Sequence, residues 1–205
     1  LAAERELYLS TPHIQRGEIP EKWMQEAKKW IEQGMEGFLV RNLESYAALK
    51  KCGYGDKCVL DSSLYTWNNE ATEFWKKEGV LRNTVPLELN EGELRHRNNT
   101  SSELLLYGYI PLMLSAQCVR KNLFGCTGKC ETVYLKDRYN SEFPVKCCCT
   151  PWECSSLEKA KYCYNIIYNS IPYGLPGERE RVEKLNLQSL RLAFTVEKPE
   201  EAREI

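Results

Sequence analysis

The stretch GFLVRNLESYAALKK (Gly37–Lys51) opens on a short apolar run, passes through Arg41 and Asn42, and continues with the pattern of a helix. Short β-rich runs followed by helical segments recur on either side of it. ELYLST (Glu6–Thr11) precedes IPEKWMQEAKKWIEQG, CVLDSS precedes NEATEFWKKEG, TVPLEL precedes NEGELRHR, and ELLLYGYI follows as a further strand. In the first of these helices Pro20 suits the opening turn and Gly34 the C-terminal cap. Trp23, Ala27, Trp30 and Ile31 fall on one of its faces and are read as core. Strand-then-helix units of about 20 to 30 residues predict parallel strands joined by crossovers, hence an α/β fold. An eight-stranded barrel takes about 250 residues, so the expectation is a partial TIM-barrel-like (β/α) repeat or an open, partly wound sheet.

The 205 residues are enough to bury a core without disulfide staples. Lysine and arginine total 28 against 29 acidic residues, a formal charge of -1, which provides no global field toward nucleic acid or anionic lipid. No apolar run reaches membrane-spanning length, and LAAERELYL lacks the apolar core of a signal peptide, so a soluble, cytoplasmic protein is expected. The first residue, Leu1, suggests processing or a piece of a longer chain.

Past Cys118 the periodicity fades, and Gly125, Gly128, Pro144 and Pro151 mark a loop-rich insertion. The expected organisation is therefore a (β/α) repeat over 1–117, a cysteine-rich metal-binding insertion over 118–170, and a returning helix and strand over 171–205, with RVEKLNLQSL helical and LRLAFTVE extended. Eight of the ten cysteines lie between Cys118 and Cys163. Clustering of this kind, without an export signal, favours metal ligation or redox work over staples. Thiolates can enclose zinc or an iron–sulfur cluster. Cys126 and Cys130 are spaced as a chelating pair. In the triplet Cys147, Cys148 and Cys149, adjacent side chains of an extended run point opposite ways, so at most two of the three face one metal.

In parallel α/β folds the carboxyl ends of strands carry the chemistry. Arg41, Asn42, Asp61, Glu88 and Asn90, with Ser115 and Gln117, stand at such ends and suit a small, oxygen-rich ligand. Each also has a structural reading, since Asn42, Asp61 and Asn90 are placed to cap the following turns. Hydrolytic motifs are missing: there is no HExxH, GxSxG or P-loop, and the only histidines are His13 and His96. His96 is read as an exposed helix residue, and Glu91 and Glu93 as solvated.

The runs ELLLYGYIPLMLSAQCVRKNLFGC, LKDRYNSEFPVKCCC and YCYNIIYNSIPYGL resemble the peptidase U32 family in its long, collagenase-like bacterial form. GFLVRNLES, VLDSSLYTWNNEA and PLELNEGELRHR support the resemblance, which covers about Gly37 to Glu197. It implies a TIM-barrel-like domain and a protease label. It also implies that relatives take part in oxygen-independent hydroxylation of RNA bases or of a quinone precursor, some with a 4Fe-4S cluster on four cysteines. Carried over by motif, the ligands are Cys118, Cys126, Cys149 or Cys147, and Cys163, with Cys130 and Cys154 as alternates. Three functions are therefore expected to compete: a U32-type protease, a hydroxylation enzyme of the same family, and a non-catalytic module stabilised by zinc. Peptide, RNA and small molecules all stand as substrates.

Overall fold

The computed structural model describes residues 5–15, 21–126, 128–149 and 163–205. They divide into two compact units, one of Leu1–Leu105 with Gly177–Arg191 and the other of Leu106–Pro176 with Leu192–Ile205.

In the first unit strands and helices alternate: β1 (Tyr8–Ser10), α1 (Glu21–Glu32), β2 (Gly37–Val40), α2 (Leu43–Lys51), β3 (Cys58–Leu60), α3 (Asn69–Lys77), β4 (Arg82–Thr84), α4 (Glu91–Arg95) and β5, which begins at Ser102 and ends at Gly108. Strands β1 to β5 pair in chain order and in parallel, forming an open, curled α/β sheet. Each element has a local cause. Asn42 accepts the Ser45 N–H at 2.8 Å and starts α2, and Asn68 accepts the Ala71 N–H at 2.9 Å and starts α3. Asn90 and Glu93 form a reciprocal capping box at α4. Pro20 lies outside the described residues, while Gly34, at φ 97°, ends α1 as expected.

Phe38 and Val40 of β2 and Cys58 and Leu60 of β3 share one face, where they meet Ala27 of α1, Tyr46 and Leu49 of α2 and Trp75 of α3. Trp23, Trp30 and Ile31 pack against the same cluster, so the apolar stripe of α1 is core. Burying a side chain such as Phe38 or Leu60 is worth about 1.5–3 kcal/mol. β4 lies earlier than the expected strand TVPLEL and shares only Thr84 with it: the chain leaves the sheet after Thr84, and Leu87 and Glu88 form a turn in which the Leu89 N–H reaches the Pro86 carbonyl.

The second unit corrects the expectation of a loop-rich insertion. Strands β6 (Pro111–Ser115), β7 (Thr132–Lys136), β8 (Glu142–Cys148) and β9 (Tyr164–Tyr168) form an antiparallel sheet in the order β6-β9-β8-β7, with helix α5 (Val119–Phe124) after β6. Pro144, read as a breaker, sits within β8. It pairs with Tyr134 of β7, while the ladder to β9 begins only at Val145. On that side no partner needs its missing N–H. Asp137 makes the hairpin turn by accepting the Tyr139 and Ser141 N–H groups at 2.8 and 2.9 Å. The end of β5 pairs with β10 (Tyr173–Gly174) in the same unit.

The chain then returns to the first unit through α6 (Arg179–Glu183) and β11 (Ser189–Ala193), which pairs with β5. The helix expected over RVEKLNLQSL is thus shorter and lies earlier. A last helix, α7, spans Glu201–Glu204. Among the described residues, no helix is long and apolar enough to cross a membrane.

Candidate functional site

The antiparallel register of the second unit gathers cysteines at one end of its sheet. β6 and β8 finish there, and β7 and β9 begin there. Cys118 and Cys126 flank α5, Cys130 precedes β7, the triplet ends β8, and Cys163 precedes β9. The register also sorts them by face. Cys147 lies opposite Asn165 and Cys148 opposite Tyr164, so Cys147 and Cys148 project to opposite sides. Cys149 follows β8 directly and Cys163 directly precedes β9, beyond the last paired residues Cys148 and Tyr164. Cys118 caps α5, its Sγ accepting the Lys121 N–H at 3.4 Å, and its thiol meets that of Cys147. Cys130 donates to the Cys149 carbonyl at 3.2 Å, and Cys149 to the Lys129 carbonyl at 3.4 Å.

The thiols differ in environment. Cys147 is 1% exposed, and burial, with the nearby Cys118 second, pushes its pKa up to about 11. Cys58, buried in the first unit's core and bonded to the Tyr54 carbonyl, is pushed up to about 12 by burial and then by Asp56. It is a packing residue there. Cys126 and Cys130 are exposed. Cys118, Cys126, Cys130 and Cys147 carry free thiols. Among the described residues no three Cys, His, Asp or Glu side chains are already drawn together as a metal site. Cys154 lies outside the described residues. The donor chemistry nevertheless fits a thiophilic group, since Cys118, Cys147, Cys149 and Cys163 are carried by three neighbouring stretches at one sheet end.

A second cluster belongs to the first unit. Asp61, directly after β3, accepts from Arg41 Nε at 2.9 Å and from Arg191 Nη2 at 2.7 Å. Arg191, on β11, also donates to Thr84 at 3.0 Å and stands 3.3 Å from Glu103. Thr84 in turn donates to Glu103 at 2.8 Å. Alternation along β4 puts Arg82 and Thr84 on the face away from the helices, with Asn83 on the helix side. Burial alone would raise the Asp61 pKa, but Arg191 and Arg41 outweigh it and hold it down to about 2. His13 is pushed down to about 4 by burial and then by Arg41, so it is neutral at pH 7.

Of the five expected substrate residues, Arg41 and Asp61 meet directly. Asn42 caps α2 and donates to the Pro12 carbonyl at 2.8 Å, Asn90 caps α4, and Glu88 lies exposed in its turn. Ser115 and Gln117, in the second unit, bond to one another. His96 is exposed, its Nδ1 2.7 Å from the Gly92 carbonyl.

Sequence reasoning missed Arg191, Glu103 and Thr84. It also missed Arg97, a buried guanidinium that donates to Thr66, Asn83, Asn99 and Ser102, with no carboxylate partner among the described residues. The local signal for Arg97 was only a polar residue after a short helix. An open cavity of about 520 Å³ lies beside it, lined by Trp67, Asn69, Asn90, Glu93 and His96.

Compared with known proteins, the chain matches no family model, no curated protein and no solved structure.

Proposed function

We propose that this chain is a redox domain of the peptidase U32 type, holding a 4Fe-4S cluster on Cys118, Cys126, Cys149 and Cys163, with Cys147 as the alternate to Cys149. The observation that supports the reading is the convergence of Cys118, Cys147, Cys149 and Cys163 at one end of the second unit's sheet, where β8 finishes and β9 begins. A bound cluster supplies one-electron chemistry. The chain's own residues then have defined tasks. α5 holds Cys118 at its N-cap, β8 carries Cys147 and Cys148 with Cys149 just beyond it, and Cys163 leads into β9. In the first unit Arg41, Asp61 and Arg191 form a charged, hydrogen-bonding surface suited to an oxygen-rich substrate.

Hydroxylation-type chemistry is favoured here over proteolysis. The reading rests on the cysteines, since no hydrogen bond among the described residues joins His96, whose Nδ1 lies 2.7 Å from the Gly92 carbonyl, to a Ser, Thr or Cys nucleophile. The test is iron, zinc and acid-labile sulfide content, with the visible spectrum, on protein purified without oxygen. About four irons and four sulfides per chain, lost in Cys118→Ser and Cys163→Ser, are expected. One zinc with no sulfide would replace the cluster by a structural staple. Cleavage of gelatin peptides that survives both substitutions would return the function to proteolysis.

A further inference from the structure

We propose that the open cavity of the first unit binds a neutral saccharide, with the Trp67 indole stacked on the apolar face of a sugar ring and Asn68, Asn90, Glu70 and Glu93 bonding its hydroxyls. The proposal is independent of the cysteine cluster, which belongs to the other unit.

The cavity, of about 520 Å³, is lined by the segment that leads into α3 and by α4. Its aromatic wall is fixed by buried contacts. Thr66 is 1% exposed, whereas its neighbours Tyr65 and Trp67 are 54% and 45% exposed. Arg97 donates from Nε to the Thr66 carbonyl at 2.9 Å and from Nη2 to the Thr66 hydroxyl at 3.0 Å. Its remaining three N–H groups go to Asn83, Asn99 and Ser102, so all five donors of the guanidinium are in use. Tyr65 adopts left-handed backbone, φ 50° and ψ 58°, which a bulky residue avoids unless its surroundings hold it there. The outcome is a pair of exposed rings, 6.3 Å apart and 31° from parallel, on a segment that a buried charge ties to β4 and β5. Burial of apolar surface favours the opposite arrangement. Rings held rigidly in solvent suit contact with a ligand, since little ordering remains to be done on binding.

The polar lining selects the class of ligand. Asn68 and Asn90 accept the Ala71 and Glu93 N–H groups, at 2.9 and 3.1 Å. A backbone N–H only donates, so these contacts assign the amide oxygens to the caps and leave the NH2 groups of two exposed residues as donors. Glu70 brings a carboxylate, and Glu93, whose Oε2 closes the capping box, keeps Oε1 as an acceptor. His96, with Nδ1 2.7 Å from the Gly92 carbonyl, keeps Nε2 as an acceptor in its neutral form. An anion would face both carboxylates while the donors of Arg97 are already in use. A cation would have no bond to offer the two NH2 groups. A neutral polyol uses donors and acceptors together, and the C–H face of a pyranose ring suits the negative face of an indole.

The experiment titrates the full chain with maltotriose, cellotriose and triacetylchitotriose by calorimetry and saturation-transfer NMR, with tetramethylammonium and adenosine monophosphate as the cationic and anionic probes. At least one trisaccharide is expected to bind below about 10 mM, and neither charged probe to compete with it. Trp67→Ala is expected to weaken binding about tenfold or more. Asn90→Asp keeps an oxygen for the Glu93 N–H and removes only the donor, so it should weaken binding about 3–10-fold with its helix content unchanged by circular dichroism. Asn90→Asp decides the matter alone if Trp67→Ala fails to fold. Silence from all three trisaccharides overturns the proposal, as does binding that neither substitution weakens. Binding of a charged probe in their place overturns it too, and replaces the neutral ligand by one of that charge.

Discussion

At the scale of single residues, Asp61 is the most consequential side chain in the first unit. It is buried between Arg41 and Arg191, so removing its charge takes the carboxylate from Arg41 and leaves Arg191 with Glu103 and Thr84. Asp61→Asn should lower the unfolding free energy by about 3–5 kcal/mol, the usual cost of breaking a buried ion pair, measured by urea denaturation. The acid limb of stability should carry two signatures. His13 has a folded pKa of about 4, below its ordinary value of 6.5, so its contribution is complete above about pH 6.5 and is lost as pH falls toward 4. Asp61, held down to about 2, contributes fully above about pH 4 and loses its share as pH falls through 2. Urea midpoints taken from pH 7 to pH 2 should flatten over the upper window in His13→Phe and over the lower in Asp61→Asn. Identical slopes in all three proteins would mean that neither group is held as described.

At the scale of elements, the alternation of β8 makes a prediction about the triplet. Cys148 projects to the side opposite Cys147, so Cys148→Ser should keep the metal content of the unsubstituted protein. Cys147→Ser and Cys149→Ser should be compared with it, and at least one should lose most of the metal. Loss in Cys148→Ser alone would mean that the ladder to β9 is out of register. In the first unit, a Cβ added at Gly37 would stand 2.0 Å from the Lys57 carbonyl oxygen. That oxygen belongs to the backbone leading into β3, so Gly37→Ala should part β2 from β3 and cost more than the 1–3 kcal/mol typical of overpacking. Its soluble yield and melting temperature report this directly. Asn42→Ala, which removes only a helix cap and one bond to Pro12, should cost about 1 kcal/mol.

At the scale of the molecule, the units have different means of support. The first rests on a continuous apolar cluster between sheet and helices. The second has a sheet whose cysteine end is gathered by register, and β6 is exposed along most of its length. On the proposed cluster-binding reading, chelation under reducing conditions should strip amide-exchange protection from β7, β8 and β9 while leaving β2 and β3 protected. Equal loss in both units would show that metal and first-unit core are one cooperative system.

The sequence by itself determined the elements whose causes are local: the alternation of strand and helix, the caps at Asn42 and Asn90, the apolar stripe of α1, and the cysteine-rich character of the segment from Cys118 to Cys163. These depend on periodicity and on side chains reaching three or four residues along the chain. It also anticipated that Cys147 would part from Cys148, because the two-residue period of an extended chain requires it. What only the tertiary structure decided depends on distant partners. β7, β8 and β9 were obscured because Pro144 and, ahead of β7, Gly125 and Gly128 look like breakers until a ladder shows which N–H groups need pairing. β4 ends at Thr84, the one residue it shares with the expected strand TVPLEL, because Pro86 and the turn that follows take the chain out of the sheet. Arg191 meets Asp61 across 130 residues of sequence, and Asn165 meets Val119 across 46. Contacts of that kind leave no trace in local composition, since a charge or an amide is placed by the fold that surrounds it.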